Sequence, residues 1–195
     1  MSKSSKLNWK LFVTPAVATV SDDVPPGETA RMWSPTSSIL IYGERDATLV
    51  DSLTTTAQAT ALADWVEESG KNLTTIYSTH GHGDHFFGNG ILLERFPGAR
   101  AVATPKVIEK MRKQTSPQVM AGLWNKRFPG QIPKNIVFPE QLDGNTLSLE
   151  GHKLMWSMSA TPTPTTRLAS MFLRSVWWSL ATWRTTTSIN ISRKR

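Results

Sequence analysis

Three of the four histidines in this 195-residue sequence lie within seven residues, THGHGDH at positions 79–85. Imidazole is the commonest side-chain ligand of metals such as zinc, and carboxylate is another. Glycine at alternate positions lets a loop turn several side chains toward one point. The four donors His80, His82, Asp84 and His85 therefore predict a metal site.

A polar loop is the alternative interpretation of this segment. A single histidine there would more often be exposed, or hydrogen-bonded to backbone, than bound to a metal. Three histidines and an aspartate at this spacing favour metal binding instead. The sequence contains no cysteine, which excludes disulfides, thiolate zinc sites, iron-sulfur clusters and cysteine nucleophiles. Any transition metal must therefore be held by His, Asp or Glu.

The elements that must position these donors begin with short strands. Two apolar runs, Ser38–Tyr42 and Thr48–Asp51, are separated by polar residues and predict a β-hairpin. The run Leu73–Ser78 is rich in β-branched and aromatic residues and predicts a further strand. Because this strand ends next to His80, we expect the metal donors to lie at the end of a sheet strand.

Helices alternate with these strands. The first begins after Thr55, a favourable N-cap residue, and runs to Ser69, where Gly70 supplies the left-handed stop. Three prolines and two glycines between residues 116 and 134 predict a long loop or lid. The other elements predicted after the motif are a helix at Gly90–Phe96, a strand at Ala101–Ala103, a helix at Lys106–Gln114, and strands at Asn135–Phe138 and Thr146–Leu154 with a turn at 143–145 between them.

The motif region resembles a known signature. An apolar strand, then THGHGDH, then FFG at 86–88, is similar to the HxHxDH signature of the metallo-β-lactamase-fold superfamily. That superfamily includes glyoxalase II-like thioesterases, lactonases and nucleases. A strand ending in Asp51 and a hairpin at 142–147 match as well, so the resemblance covers about residues 35–154. It implies an α/β fold, a four-layer αββα sandwich, and a metal-dependent hydrolase.

The resemblance also implies roles for individual residues. Family members hold two metal ions, usually zinc, that activate a water molecule for attack on an ester, thioester, lactone or similar bond. His80 and His82 would bind the first metal, and Asp84 and His85 the second. Asp84 is in addition the expected catalytic residue. Asp51 would lie just behind the ligands, although as a strand-end carboxylate it could equally cap the helix that follows.

Several family ligands have no counterpart in this sequence. In family members, a histidine of a GHT-type motif completes the ligand set of the first metal. An aspartate of an AGD-type strand bridges the two metals, and a further histidine lies near the C-terminus. The only other histidine here is His152, for which we expect a structural role within a strand. The zinc site and the sandwich are therefore both expected to be incomplete.

Charge and composition change near residue 150. All 15 Asp and Glu residues lie at or before Glu150, together with 15 of the 22 Lys and Arg residues, so the net charge of +7 arises entirely after it. The same segment holds four of the eight tryptophans and a Thr-Pro alternation. We expect residues 1–154 to form the N-terminal part of a metallo-β-lactamase-like domain. Residues 155–195 are expected to form an atypical, poorly ordered, basic Trp/Thr-rich tail.

The genetic code offers one cause for these changes. When the nucleotides of Ser159–Arg167 are regrouped one position earlier, permitted third bases let them spell GHTDTDDT. Met171–Asn190 regrouped in the same way can contain LVVAGD, and the two motifs appear in family order. We therefore hypothesise that residues from about 155 onward are translated out of frame, through an insertion, a deletion or a misplaced splice junction.

Two other interpretations of function remain open. Arginines interleaved with tryptophans after residue 155 could neutralise phosphates and stack on bases, as in a nucleic-acid-binding protein. An arbitrary segment explains them better, so we expect a small-molecule substrate rather than nucleic acid as partner. The chain could also be a non-catalytic remnant of a hydrolase. The sequence does not indicate an oligomeric state.

The N-terminal residues and the lengths of the apolar runs bear on location. Lys3, Lys6 and Lys10 precede an apolar run as in a targeting leader, but Pro15 interrupts that run, and a cytoplasmic location is expected. No apolar run approaches the ~20 residues that a membrane-spanning helix requires, so no membrane partner is expected.

Overall fold

The protein is built from two β-sheets, a β-ribbon and a set of helices. The structure, a computed structural model, describes residues 6–158, 169–173, 177–178 and 190–192. The strands in chain order are β1 (Asn8–Val13), β2 (Val17–Thr19), β3 (Arg31–Trp33), β4 (Ser37–Tyr42), β5 (Asp46–Val50), β6 (Asn72–Tyr77), β7 (Arg100–Ala103), β8 (Glu140–Gln141), β9 (Thr146–Leu149), β10 (His152–Met158), β11 (Ala169–Leu173), β12 (Trp177–Trp178) and β13 (Asn190–Ser192).

The helices lie between β5 and β8 in the chain. They are α1 (Thr56–Glu67), α2 (Asn89–Arg95), α3 (Pro105–Gln114), α4 (Pro117–Val119) and α5 (Asn125–Arg127), with a 3₁₀ turn at Gly83–His85 and a π-helical turn at Met120–Trp124. None of the helices in the described residues is long and apolar enough to cross a bilayer.

The first sheet sets the position of the motif. Its six strands have the order β1-β4-β5-β6-β7-β8, in which β1, β4 and β5 are antiparallel neighbours and β5 to β8 run parallel. Parallel strands end at the same edge of a sheet, which is where α/β proteins bind ligands. Asp51 after β5 and the motif after β6 therefore lie side by side at this edge, as the strand predictions required.

Two buried clusters define the layers. One cluster joins the inner face of the first sheet to the second sheet, whose strand order is β12-β13-β11-β10-β9. Its members are Leu7, Ile39, Ile41, Val50, Tyr77, Val102, Leu142, Leu147, Leu149 and Leu154. The other cluster packs α1 and α2 on the opposite face of the first sheet. The predicted α/β sandwich is confirmed, with a helical layer and two sheets in place.

The fourth layer of the sandwich is not formed by the described residues. The two buried clusters that contain helix residues include no residue of β9 or β10, so every described helix packs on the side of the first sheet. The outer face of the second sheet has no helix among residues 6–158. The predicted incompleteness of the sandwich also concerns residues that the structure does not describe, so it stays a prediction.

Helix α1 begins and ends as the sequence predicted. The hydroxyl of Thr55 accepts the N–H of Gln58 at 3.2 Å, and Oε1 of Gln58 accepts the N–H of Thr55 at 3.1 Å. These reciprocal bonds satisfy two of the free N–H groups at the helix start. Gly70, with φ of 65°, follows the last turn in the left-handed conformation.

The prediction of a long loop at residues 116–134 is wrong in part. Residues 117–127 are largely helical, and Pro117 occupies the first turn of α4, where its missing N–H costs nothing. Trp124 and Phe128 are each 1% exposed and belong to a third buried cluster, together with Phe86 and Phe87 beside the motif. The aromatic residues of this segment therefore pack the core that supports the motif rather than form a lid.

The strand predictions after residue 134 also need correction. Residues 135–138 form no strand, and the short β8 follows them instead. Residues 143–145 do not close a hairpin, because β8 pairs in the first sheet and β9 in the second. The run Thr146–Leu154 is itself a hairpin of β9 and β10, turned at Glu150 and Gly151, both of which have positive φ.

The predictions for the basic tail fall mainly outside the described residues. Only the strands β11, β12 and β13 and the end of β10 belong to the part that the structure describes. The predicted disorder, the nucleic-acid-binding alternative and the frame change after residue 155 therefore stay predictions.

Candidate metal centre

The motif loop is held against helix α3. A Cβ atom on Gly81 would lie 2.5 Å from Cβ of Lys110 and 2.9 Å from the carbonyl oxygen of Val107. Only glycine permits so close an approach. The loop is therefore fixed between the end of β6 and one side of α3, and this positions the side chains of the residues that flank Gly81.

His80 and His82 face each other. Nε2 of His80 lies 3.0 Å from Nδ1 of His82, and the two ring centroids are 4.3 Å apart. His80 is half-buried and His82 is exposed. The structure thus brings together the two residues predicted for the first metal, with one nitrogen of each ring directed at the same place.

His85 is anchored from behind by Asp51. Nδ1 of His85 lies 2.8 Å from Oδ2 of Asp51, and that carboxylate also accepts the N–H of Thr79 at 2.8 Å and its hydroxyl at 2.7 Å. Asp51 is 7% exposed and has φ of 64°, a conformation that a non-glycine residue adopts rarely and that occurs often at functional sites. This network holds the other nitrogen of His85, Nε2, toward Asp84.

The carboxylate of Asp84 completes the cluster. Its Oδ1 atom lies 3.7 Å from Nε2 of His85. That oxygen is buried and has no hydrogen-bond partner within the described residues. A buried carboxylate oxygen without a hydrogen-bond donor is uncommon. The ring of His85, whose pKa is raised to about 9, lies within ion-pair distance and offsets part of the lost hydration. A cation bound between Asp84 and His85 would supply a further partner.

The electrostatics divide the histidines into two kinds. Burial, with help from neighbouring positive groups, lowers the pKa of His80 to about 3. Loss of hydration and the charge of Lys110 lower the pKa of His82 as well. Burial also acts to lower the pKa of His85, but the charge and hydrogen bond of Asp51 outweigh it and raise that pKa to about 9. At neutral pH His80 is therefore a neutral ring, as metal ligation requires.

The donor set fits zinc chemically, as two pairs rather than as a full centre. Three imidazoles and one carboxylate are donors that zinc accepts, whereas catalytic zinc normally has three protein ligands per ion. No group of three or more His, Cys, Asp or Glu side chains in the described residues is arranged to hold a metal. The assignment of His80, His82, Asp84 and His85 as ligands stays a prediction, as does the catalytic role of Asp84.

Two residues of the site were missed by the sequence analysis. Thr79 donates twice to Asp51, and its only sequence signal was its place at the start of the motif. Lys110 lies with Nζ 3.4 Å from Nε2 of His80. Lys110 is 30 residues from His80 in sequence and lies on a different element. Its proximity to the motif therefore follows only from the packing of α3 on the motif loop.

Of the two roles that the sequence left open for Asp51, the structure excludes helix capping, and the role behind a metal ligand stays a prediction. Its carboxylate bonds to Thr79 and His85, and the helix after it is capped by Thr55 instead. Its place behind His85 is the place of a residue that orients a metal ligand through the ring nitrogen that the metal does not use.

Comparison with known proteins identifies one family. A sequence model of the metallo-beta-lactamase superfamily matches residues 31–166, more than half of the chain. No curated protein sequence matches the chain. The match begins ahead of β4 and includes the whole motif.

Solved structures of metallo-beta-lactamases are also similar to the chain. A HARLDQ-motif mutant enzyme from Cronobacter sakazakii has 21% identity and a TM-score of 0.49, with 70% of this chain and 56% of that chain covered. MEM-A1, a subclass B3 enzyme from a soil metagenome library, has 18% identity and a TM-score of 0.47, with 70% and 55% covered. FEZ-1 from Legionella gormanii has 16% identity and a TM-score of 0.47, with 63% and 46% covered. The chain spans about half the length of these three proteins.

Proposed function

The chain belongs to the metallo-beta-lactamase superfamily, and from that membership we propose that it is a metal-dependent hydrolase of small molecules. Membership supports hydrolysis that depends on a metal. The finer proposal is that the bond cleaved is an ester, thioester, lactone or similar bond, and that the metal is zinc held by His80, His82, Asp84 and His85.

One observation carries the proposal. The four donors meet at the edge of the first sheet, with His80 beside His82 at 3.0 Å and Asp84 beside His85 at 3.7 Å. The buried Oδ1 atom of Asp84 has no hydrogen-bond donor and only the ring of His85 as an ion-pair partner. A bound cation would supply the missing partner, and this supports the proposal.

The chain's own residues prepare the site in three ways. Asp51 fixes the ring of His85 through Nδ1 and leaves Nε2 facing Asp84. Burial keeps His80 neutral, so that a lone pair on its ring is available. When bound, zinc supplies ionisation of water near neutral pH and stabilises negative charge on the oxygen under attack.

A non-catalytic remnant is the second candidate. It is favoured by the absence, in the residues that the structure describes, of any three-membered donor group for a metal. With two donors per ion instead of three, a site loses much of its preorganisation and therefore its affinity. Metal-dependent hydrolysis would then require further metal ligands, which the described residues do not supply.

Hydrolysis assays distinguish the two candidates. The purified chain, loaded with zinc, is tested on chromogenic esters, thioesters and lactones, with and without a chelator. The proposal expects hydrolysis that the chelator abolishes and that His82→Ala reduces at least tenfold. His152→Ala is the matched control, since it removes the one histidine outside the motif. Activity that survives both the chelator and His82→Ala would refute a metal mechanism, and no activity on any substrate would favour the remnant.

A further inference from the structure

Strand β1 forms one edge of the first sheet. Among the described residues it pairs with β4 alone, in an antiparallel register without a shift. The register continues to Thr14, whose N–H donates to the carbonyl oxygen of Thr36 at 2.9 Å. In an antiparallel pair, alternate residues direct both backbone groups at the partner strand. The even-numbered residues of β1 therefore face β4, and the N–H and C=O groups of Trp9, Leu11 and Val13 point away from the sheet.

The same three residues carry an apolar stripe. The side chains of Trp9, Leu11 and Val13 are 41%, 50% and 56% exposed. Successive side chains of a strand project to opposite faces, so these three lie on the face where Leu7 joins the cluster between the two sheets, whereas Phe12 packs on the helical layer. Outward backbone groups and exposed apolar side chains thus belong to one set of residues.

The edge lacks the features that usually keep an edge strand from pairing with another strand. Proteins protect such edges with proline, with β-bulges or with charged side chains. Strand β1 contains no proline, and its register with β4 has no bulge. Its one charged side chain, Lys10, lies with Nζ 5.9 Å from the ring centroid of Tyr42 and on the opposite face from the stripe. Strand β1 is therefore open to addition of a further strand.

A second copy of β1 fits this edge. When two β1 strands pair antiparallel about a two-fold axis at Leu11, Leu11 lies opposite Leu11 of the second copy, and Trp9 lies opposite Val13 of the second copy. The three outward N–H groups of each strand then all have an outward carbonyl oxygen as acceptor. Directly opposite side chains lie on the same face and pack together, so the two stripes merge into one.

Other registers of the same pair fit less well. A shift by two residues in one direction places Lys10 opposite Lys10 of the second copy, and like charges directly opposite destabilise a strand pair. A shift by two in the other direction places Trp9 opposite Pro15, which has no N–H to donate. A shift by one would set the outward groups against residues that face β4. The register centred on Leu11 is therefore preferred.

We propose that β1 is a dimerisation strand, and that two copies of the chain pair through it about Leu11 to form one continuous sheet. One strand pair buries less surface than the ~800 Å² per partner of a standard interface, so the dimer should be weak, with a dissociation constant of about 10–100 μM. Strands β4 and β5 separate β1 from β6 and the motif. The inference therefore does not depend on the proposed function.

Self-association is measured first. Sedimentation equilibrium of the full chain between about 5 and 500 μM should show a mass that rises from one chain toward two. Leu11→Lys places a charge in the stripe at a half-exposed position and should weaken association at least tenfold. Met32→Lys is the matched control, because Met32 is also 50% exposed but lies on β3, outside the first sheet, and it should leave association unchanged.

Introduced cysteines test the register. The chain has no cysteine of its own, so one thiol per chain can form a disulfide only between two copies. In Leu11→Cys the two thiols lie on directly opposite residues, with Cα atoms ~5.5 Å apart, which a disulfide can span. In Val13→Cys they are four residues apart along the strands, ~13 Å. Mild oxidation should therefore cross-link Leu11→Cys at least tenfold faster than Val13→Cys.

Amide hydrogen exchange, followed residue by residue by NMR, tests the backbone pairing. In dilute protein the N–H groups of Lys10 and Phe12 should exchange slowly, because they face β4, and those of Trp9, Leu11 and Val13 should exchange fast. In concentrated protein the second group should become slow as well. Leu11→Lys should remove this concentration dependence and leave the exchange at Lys10 and Phe12 slow.

Four results would overturn the inference. One is a single-chain mass at every concentration, and another is association that Met32→Lys abolishes and Leu11→Lys leaves unchanged. The third is equal cross-linking of Leu11→Cys and Val13→Cys. The last is slow exchange at Trp9, Leu11 and Val13 at every concentration, which would mean that the edge is already paired within one chain. The cysteine variants keep the test decisive if Leu11→Lys fails to fold.

Discussion

The carboxylate of Asp51 lies 2.8 Å from Nδ1 of His85 and is one of the contacts that link the first sheet to the motif. Asp51 follows β5 and His85 ends the 3₁₀ turn after β6, so the pair joins two neighbouring strand ends. Because Nδ1 of His85 faces Asp51, Nε2 is the ring nitrogen that faces Asp84. The contact also pairs the charges of Asp51 and His85 in a buried position, and its contribution to stability can be tested.

Removing Asp51 should destabilise the metal-free protein. Asp51→Ala leaves the N–H and hydroxyl of Thr79 and the ring of His85 without their acceptor, and should lower the free energy of unfolding by about 2–4 kcal/mol. Asp51→Asn should lower it less, because asparagine tolerates the left-handed backbone and still offers one acceptor. Urea unfolding measured with a chelator present gives both values.

The control for Asp51 is an exposed carboxylate. Asp22→Asn removes an ion pair with Lys126 whose aspartate side chain is 87% exposed, and should leave the free energy of unfolding almost unchanged. If Asp51→Ala is as mild as Asp22→Asn, the network around Asp51 does not hold the motif in place.

The metal-free protein should be most stable near pH 6.5. His85 has a folded pKa of about 9, above the usual 6.5, so its contribution is complete below pH 6.5 and is lost as pH rises toward 9. His80 has a folded pKa of about 3, below the usual 6.5, so its neutral form opposes folding increasingly as pH falls from 6.5 toward 3. Urea midpoints between pH 5 and 9 should therefore pass through a maximum.

Two variants test the alkaline and the acid side of this stability profile separately. Asp51→Asn should flatten the alkaline side, because the pKa of His85 falls when the charge that raises it is removed. His80→Gln should flatten the acid side. A profile that rises steadily from pH 6.5 to 9 in the wild type would show that His85 is not protonated in the folded protein.

Glu150 should stabilise the contact between the two sheets. It lies in the turn between β9 and β10. Its carboxylate accepts the N–H groups of Glu44 and Arg45, in the turn before β5, at 2.8 and 2.7 Å, and of Asp46, the first residue of β5, at 2.7 Å. Bonds from N–H groups to a charged acceptor are stronger than neutral ones. Glu150→Ala should lower the free energy of unfolding by about 1–3 kcal/mol, and Glu150→Gln by less.

A neighbouring carboxylate provides the comparison for Glu150. Glu44→Gln changes a side chain that takes no part in these three bonds, so its effect on the urea midpoint should be close to zero. Equal effects of Glu44→Gln and Glu150→Gln on the urea midpoint would mean that the loss of a negative charge accounts for the change. The three hydrogen bonds of Glu150 would then not stabilise the contact between the sheets.

The site was predictable from sequence where its parts are local. The residues of the motif lie within six positions after a strand with clear β character, so their place at a strand end could be inferred, whereas their role as metal ligands stays a prediction. Asp51 was predictable only as one of two alternatives, because a strand-end carboxylate can also cap a helix. The Thr55 cap of α1 excludes capping, and the role of Asp51 behind a metal ligand stays a prediction.

The errors came from residues whose role depends on distant packing. Pro117 and Gly122 were taken as loop residues, but burial of Trp124 and Phe128 beside Phe87 stabilises helical turns there. Lys110 carried no local signal, since its contact with His80 depends on how α3 packs against Gly81. The change of sheet between β8 and β9 was missed because alternation of polar and apolar residues does not identify a strand's partner.

The origin of the tail is open to a direct check. If residues from about 155 onward are translated out of frame, the transcript around codons 148–160 will contain an insertion, a deletion or a misplaced splice junction, and the neighbouring frame will encode GHT and AGD motifs. Sequencing that region of the transcript and the genomic DNA gives the answer. A transcript in one frame, without any such change, would exclude the hypothesis.

Zinc titration of the purified chain tests the central claim, that His80, His82, Asp84 and His85 together bind a divalent metal as an incomplete centre. Isothermal titration should give zinc binding with a dissociation constant of about 1 μM or weaker, because each pair lacks a third ligand. His82→Ala and Asp84→Asn should each weaken it at least tenfold, and His152→Ala should not. Zinc binding that is absent, or that is unchanged in His82→Ala and Asp84→Asn, would contradict the account.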